Sequence, residues 1–162
     1  MADDLAPLAV SVLDLCRAAK LKLATAESCT GGLVAASLTD IAGSSDVVER
    51  GFVTYSNEAK MQLLGVPEAL IAAHGAVSPH VARAMAEGAL THAPVDLAVS
   101  ITGIAGPGGG SERKPVGLVY FGLARRGREP RIERHVFPGD RIAIRWAATE
   151  CALELLREGA HQ

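Results

Sequence analysis

Apolar residues at Leu5, Leu8, Val12, Leu15 and Ala19 recur at helical spacing, which predicts an amphipathic helix over residues 5–20. A short β-like run, Leu23 to Ala26, follows, and then a helix over about 31–40. Val47–Tyr55 reads as a strand, with Gly43-Ser44-Ser45 as the turn before it. Asn57–Leu64 reads as a short helix stopped by Gly65 and Pro67, and Glu68–Ala73 as another, closed by His74-Gly75. Ser78 at a cap and Pro79 at the first helical position open a helix that runs to about Leu90. Asp96–Thr102 has the unbroken apolar character of a buried strand. Val116–Ala124 and Ile132–Phe137 predict an antiparallel hairpin across Arg126-Gly127, and a last helix spans about 140–158. The pattern is mixed α/β, one sheet with parallel and antiparallel strands and helices on its faces.

Two glycine-bearing segments each follow a strand: Glu27 to Gly32, and Gly103 to Gly110. In open α/β sheets ligands bind beyond the carboxyl ends of the strands. If the two preceding strands lie parallel and close together, both segments line one crevice.

Composition narrows the class. A chain of 162 residues fits one domain over 1–162, able to bury roughly 70% of its unfolded surface. Aromatic residues make up 4%, so the core rests on Ala, Val, Leu and Ile, which favours close seating of helices on a sheet. The same scarcity argues against a base-stacking nucleic-acid surface. A net charge of −2 provides no field toward nucleic acid or anionic membrane. The run Arg125, Arg126, Arg128, Arg131, Arg134 is broken by Glu129 and Glu133 and reads as the solvated face of the hairpin. Cys16, Cys29 and Cys151 are odd in number and widely spaced, which fits a reducing compartment. With an acidic start (Met1 to Asp4) and no apolar run of spanning length, a cytoplasmic protein is expected.

The densest chemistry lies in Glu27-Ser28-Cys29-Thr30-Gly31-Gly32. A strand turning into a helix leaves the first helical amides without intrahelical partners, a place for an anion or a developing oxyanion. Ser28, Cys29 and Thr30 bring three candidate nucleophiles or proton carriers to that turn. The structural alternative is that Thr30 caps the helix and the glycines only permit the bend. Tyr55-Ser56-Asn57-Glu58-Ala59-Lys60 is the second cue: Ser56 or Asn57 caps a helix and Lys60 falls in its first turn. A cation there opposes the helix dipole at a cost of roughly 0.3–1 kcal/mol. With partial burial the same field lowers a lysine pKa toward general-base use; the alternative is a tolerated surface lysine.

Other constellations fall away. Gly103 to Gly110 is neither a P-loop nor a dinucleotide fingerprint. Ser111-Glu112-Arg113-Lys114 has Ser-x-x-Lys spacing without the partner motifs. The histidines form no His-x-x-x-His pair, no cysteines stand at metal spacing, and no metal site is expected. Arg145 lies among apolar neighbours and, facing inward, requires an anionic partner, either a protein carboxylate or a ligand phosphate.

Taken in order, Ala26 to Gly32, Gly43-Ser44-Ser45, Tyr55-Ser56-Asn57-x-x-Lys60, Gly75 to Ser78, Ile101 to Gly109, Lys114 to Gly117 and Asp140-Arg141-x-x-x-Arg145 resemble the C-terminal domain of the CinA family, the nicotinamide-nucleotide amidohydrolases. The resemblance covers about residues 8–156. It implies a three-layer α/β/α sandwich, usually in homo-oligomers (a dimer or trimer), and a cytoplasmic enzyme without metal or other cofactor. The implied reaction converts nicotinamide mononucleotide and water to nicotinate mononucleotide and ammonia in pyridine-nucleotide recycling. Many relatives also carry a molybdopterin-binding-like domain, for which this chain is expected to have no room. The resemblance puts the nucleophile on Ser28, its activating lysine on Lys60 and a third hydroxyl on Tyr55. It puts substrate contacts on Glu27, Thr30, Gly31, Gly32, Asn57, Thr102, Gly103, Ala105, Gly106, Gly108 and Arg145, with Arg145 as the charged contact. Amides around Thr30 and Gly31 are expected to hold the oxyanion. A non-catalytic nucleotide-binding module and an interaction subunit are the competing functions.

Overall fold

The computed structural model describes residues 2–161, with side chains from Leu5 onward; the acidic start at Met1 to Asp4 lies outside the described side chains. Helix α1 (Ala2–Ala19) leads into β1 (Leu23–Glu27) and α2 (Leu33–Thr39). A 3₁₀ turn (Ser44–Asp46) precedes β2 (Val48–Val53), followed by α3 (Asn57–Leu64), α4 (Glu68–His74) and α5 (Pro79–His92). Strands β3 (Leu97–Gly103), β4 (Leu118–Arg125) and β5 (Arg131–Val136) come next, and α6 (Arg141–His161) ends the fold. Every element in the sequence pattern is present. Strand β2 stops at Val53, short of the expected Tyr55, and the carbonyls of Thr54 and Tyr55 turn toward the Lys60 amine. Helix α2 starts at Leu33, since Gly31 and Gly32 take φ of +60° and +106° in the turn before it.

The sheet has the order β2-β1-β3-β4-β5. Strands β2, β1 and β3 are parallel, and β4 and β5 add an antiparallel edge. The expected parallel neighbourhood of β1 and β3 is therefore present, with Glu27 opposite Ile101. Three layers result. Helices α1, α2 and α6 cover one face, and α5, with α3 and α4 outside it, covers the other.

Side-chain alternation along the central strands sets the two faces apart. Leu23, Leu97, Val99, Ile101, Val119 and Phe121 fill the space beneath α1, α2 and α6. The intervening positions are small: Ala24 and Ala26 on β1, Ala98 and Ser100 on β3, Gly122 on β4. Helix α5 accordingly sits close to the sheet, and Ser100 Oγ donates to the Ala82 carbonyl at 2.6 Å. A Cβ on Gly122 would stand 2.6 Å from that same carbonyl oxygen. The low aromatic content serves this close approach. Among the described residues no helix is long and apolar enough to cross a membrane.

Helix α3, which carries Lys60, is held to α5 at a point of contact that only glycine permits. A Cβ on Gly88 would lie 2.0 Å from the Leu64 carbonyl oxygen, a clash with backbone that no rotamer relieves. Gly88→Ala is expected to cost about 3 kcal/mol, near the top of the overpacking range, or roughly 6–12 °C in Tm. An unchanged melting curve would show that α3 and α5 do not approach this closely.

Candidate active site

The carboxyl ends of β1, β2 and β3 meet at one edge of the sheet. There the ladder runs one residue past β1 on both sides: Ser28 N donates to the Ile101 carbonyl at 2.9 Å, and Thr54 N to the Glu27 carbonyl at 2.8 Å. These bonds fix the backbone on either side of Ser28. Ser56 caps α3 by accepting from the Ala59 amide, which leaves the Asn57 side chain to line the cleft.

Lys60 lies one turn into α3, and helical side chains lean toward the N-terminus. Its amine therefore reaches back over the β2–α3 turn and donates to Thr54 O at 3.0 Å, to Tyr55 O at 3.3 Å and to Ser28 Oγ at 3.0 Å. The residue is 2% exposed. Burial holds its pKa below the ordinary lysine value. In the neutral form two N–H groups suffice for the two carbonyls, and the nitrogen lone pair is left to face the Ser28 hydroxyl.

The three candidate nucleophiles separate on this geometry. Thr30 is fully buried, and its hydroxyl donates to Glu27 Oε1 at 2.6 Å. The Cys29 thiol is pushed up to about 12, chiefly by burial, and stays protonated at neutral pH. Of the three, Ser28 is the one that meets the Lys60 amine in the cleft.

Glu27 does not line the cleft. Its carboxylate turns under α2 and accepts from the Gly32 and Val34 amides on Oε1 and from Ala35 on Oε2, at 3.2, 3.0 and 3.0 Å. Thr30, the expected cap, instead donates to that carboxylate. Of the amides expected to hold an oxyanion, Gly31 N is engaged and Thr30 N is not. Gly31 N is taken by the Ser28 carbonyl, Leu33 N by Thr30 O, and the next amides by Glu27. Among the described residues, the amides of Cys29 and Thr30 have no acceptor in any other residue. These two donors sit one residue nearer the serine than the expected pair, Thr30 and Gly31, with the Cys29 amide also facing its own thiol.

A cleft of about 200 Å³ is lined by Ser28, Cys29, Tyr55, Asn57, Lys60, Ala76, Val77, Thr102, Gly103, Ala105 and Arg141. Seven of the expected site residues are here: Ser28, Tyr55, Asn57, Lys60, Thr102, Gly103 and Ala105. Glu27, Thr30, Gly31, Gly32, Gly106, Gly108 and Arg145 are not in the lining. Arg145 has no carboxylate partner among the described residues: its Nε donates to Cys29 O at 3.0 Å and an Nη to Thr30 O at 3.2 Å. It pins the turn that follows Ser28. The arginine in the cleft is Arg141, one helical turn earlier, which donates to Gly106 O at 2.8 Å and to the Tyr55 hydroxyl at 3.1 Å. The Tyr55 hydroxyl thus points to Arg141, while the Tyr55 carbonyl serves Lys60. At 62% exposure, Tyr55 stands at the mouth. A larger groove of about 440 Å³ between α4 and α5 holds none of these groups.

The model of the CinA C-terminal domain matches residues 5–160. The chain is 61% identical over 132 residues to the nicotinamide-nucleotide amidohydrolase PncC of Escherichia coli K12, covering 82% of this chain and 80% of that protein. It is 54% identical over 147 residues to a competence-damage inducible protein of Caldicellulosiruptor bescii, covering 91% of this chain but 36% of the relative. The chain therefore spans only about a third of that longer protein. The crystal structure of the competence/damage inducible protein CihA from Agrobacterium tumefaciens superposes with a TM-score of 0.94 at 46% identity, covering 98% of this chain and 96% of that one.

A lysine whose folded pKa is depressed binds fewer protons in the native than in the unfolded state over the interval between the two values, so stability rises with pH there. Each unit of depression corresponds to about 1.4 kcal/mol, gained as pH climbs through the folded value and complete above about 10.4. Lys60→Met removes this dependence. The difference in Tm, wild type minus variant, is expected to increase from neutral pH toward pH of about 10. A difference that stays flat across that range would mean the amine is not desolvated.

Proposed function

The chain belongs to the CinA C-terminal domain family, and on that premise we propose that it is a nicotinamide-nucleotide amidohydrolase, converting nicotinamide mononucleotide and water to nicotinate mononucleotide and ammonia. The contact that carries the reading is Lys60 Nζ to Ser28 Oγ at 3.0 Å, with the lysine buried. Neutral Lys60 takes the Ser28 proton as Oγ bonds to the carboxamide carbon, and the carbonyl electron pair moves to oxygen. The Cys29 and Thr30 amides are the donors for that oxyanion. Loss of one such donor typically costs about 2.7–4 kcal/mol. The Lys60 ammonium returns its proton to the amide nitrogen, the C–N bond breaks, and ammonia leaves an ester on Ser28. Water, deprotonated by Lys60, attacks that ester and restores the serine.

The direct contact makes a proton relay through Tyr55 unnecessary, and Tyr55 together with Arg141 forms the mouth of the cleft. A volume of about 200 Å³ accommodates the pyridine carboxamide. The ribose and phosphate extend along Thr102 to Gly108 toward Arg141, which replaces Arg145 as the contact for the charge. We read residues 1–162 as one amidohydrolase domain of a cytoplasmic homo-oligomer, with a small nucleotide as its partner and neither nucleic acid nor membrane.

Ammonia release from nicotinamide mononucleotide in the presence of EDTA is the decisive assay. Turnover undiminished by chelator is expected, and Ser28→Ala and Lys60→Ala should each lower kcat by at least about 100-fold while the protein remains folded, the lower end for loss of a positioned proton-transfer group. Activity should rise with pH as Lys60 deprotonates, with its midpoint below the usual lysine value. Tight nucleotide binding without ammonia would indicate a binding module, and neither would indicate an interaction subunit. Arg141→Met should raise KM for the nucleotide about 10–100-fold, the effect of roughly 1.4–2.8 kcal/mol of lost binding, with a smaller change for the unphosphorylated nucleoside. Equal losses on both substrates would remove Arg141 from the phosphate.

A further inference from the structure

Strand β5 and helix α6 bring together three side chains that neither the proposed reaction nor the sequence spacing uses. Glu133 and His135 alternate on β5 and share one face, and Cys151 comes from the stripe of α6 that also carries Ala147, Glu150 and Glu154. One ligand atom from each of Glu133, His135 and Cys151 lies within 4.8 Å of the other two, and all three residues are half-buried. The set is mixed: carboxylate oxygen, imidazole nitrogen and thiol sulfur.

The surroundings hold this set in place and bias it toward a cation. The His135 ring stacks on Phe137 at 5.4 Å and meets the edge of Phe121, which limits its rotation. Glu133 Oε1 lies 3.0 Å from His135 Nε2, while Arg131 binds Oε2 of the same carboxylate and leaves Oε1 turned toward the cluster. Glu154 and Glu158 act electrostatically on the thiol from α6, with Arg131 as the opposing charge. Beside the cluster a cavity of about 250 Å³ is lined by His135, Phe137, Glu150, Cys151 and Glu154. It offers room for an ion and two further carboxylates.

We propose that Glu133, His135 and Cys151 form a site for a borderline, thiophilic divalent cation of the zinc class, with Glu150, Glu154 or water completing the coordination. An N, S and O donor set in tetrahedral reach selects zinc-like ions over magnesium or calcium, which take oxygen ligands. Bonds of about 2.0–2.3 Å place tetrahedral ligand atoms roughly 3.3–3.8 Å apart, a closure that small side-chain rotations supply. On binding, the Cys151 thiol releases one proton to solvent, the imidazole proton of His135 passes from Nε2 to Nδ1, and the His135–Glu133 hydrogen bond gives way to two metal bonds. The ion ties β5, which pairs only with β4, to α6. No residue is shared with the lining of the Ser28 cleft, so the site acts on the stability of this edge and not on the reaction.

The test is cobalt(II) titration of the reduced, metal-free protein, read by the thiolate-to-cobalt charge-transfer absorption, followed by zinc displacement and melting curves with and without zinc. One cobalt per chain, release of one proton and a zinc-dependent rise in Tm are expected. Cys29→Ala should keep the band. Cys151→Ser should abolish it, and His135→Gln should weaken binding at least about tenfold, with the far-UV circular dichroism spectrum retained as the sign of a folded protein. Absence of a band and of a zinc effect on Tm in the wild type would overturn the proposal, as would a band that survives Cys151→Ser. Because the readouts are spectroscopic and thermal, failure here leaves the amidohydrolase assignment untouched, and failure of that assignment leaves this site untouched.

Discussion

A lysine amine held out of water against a serine hydroxyl is the arrangement on which the rest of this molecule turns. Desolvating an ammonium is costly, and burial pushes Lys60 toward its neutral form. The fold keeps the amine there by three separate means. The Ser56 cap starts α3 at the right residue, Gly88 lets α5 press against the end of that helix, and the early stop of β2 frees two carbonyls to receive the amine. Each belongs to a different element. The buried amine is therefore a property of the packed sheet and helices together, not of the Tyr55–Lys60 segment alone.

The two faces of the sheet contribute unequally. Large aliphatic residues beneath α1, α2 and α6 provide most of the buried core, while the Ala, Ser and Gly face lets α5 settle close. Close seating on one side and bulk on the other bring α3 and α6 to the same sheet edge from opposite layers. Lys60 enters from the first and Arg141 and Arg145 from the second.

Much of this was legible in the chain. Helical spacing, apolar runs, caps and turn residues located the elements, and the strand-turn-glycine signatures at Ser28 and Gly103 marked the edge where the cleft lies. What escaped notice depends on tertiary placement. Glu27 and the amides it caps are five to eight residues apart, and the only local sign was that Gly32, at the N-cap of α2, has no side chain to do the capping. Arg141 and Arg145 share a helical face, so periodicity cannot say which one reaches the cleft; that depends on where the axis of α6 passes the turn that follows Ser28. Glu133, His135 and Cys151 meet only because β5 lies under α6, and no spacing rule spans two elements of different type.

Saturation of α2 by Glu27 bears on where negative charge can develop. A carboxylate already opposes the positive end of that helix, so the helix dipole has little left for an oxyanion on the proposed substrate. Stabilisation then falls to the nearby peptide groups and to the Lys60 ammonium formed in the same step. Arg145 strengthens one of those peptide groups. Its guanidinium holds the Cys29 carbonyl, and the other end of that same peptide unit is the Thr30 N–H. A cation on the carbonyl oxygen polarises the unit and makes its N–H a better donor, the usual cooperativity of linked hydrogen bonds. In the proposed reaction, an arginine outside the cleft lining thus acts on the reacting oxygen through one peptide bond. That accounts for a half-buried charged side chain on α6 whose partners among the described residues are two carbonyl oxygens.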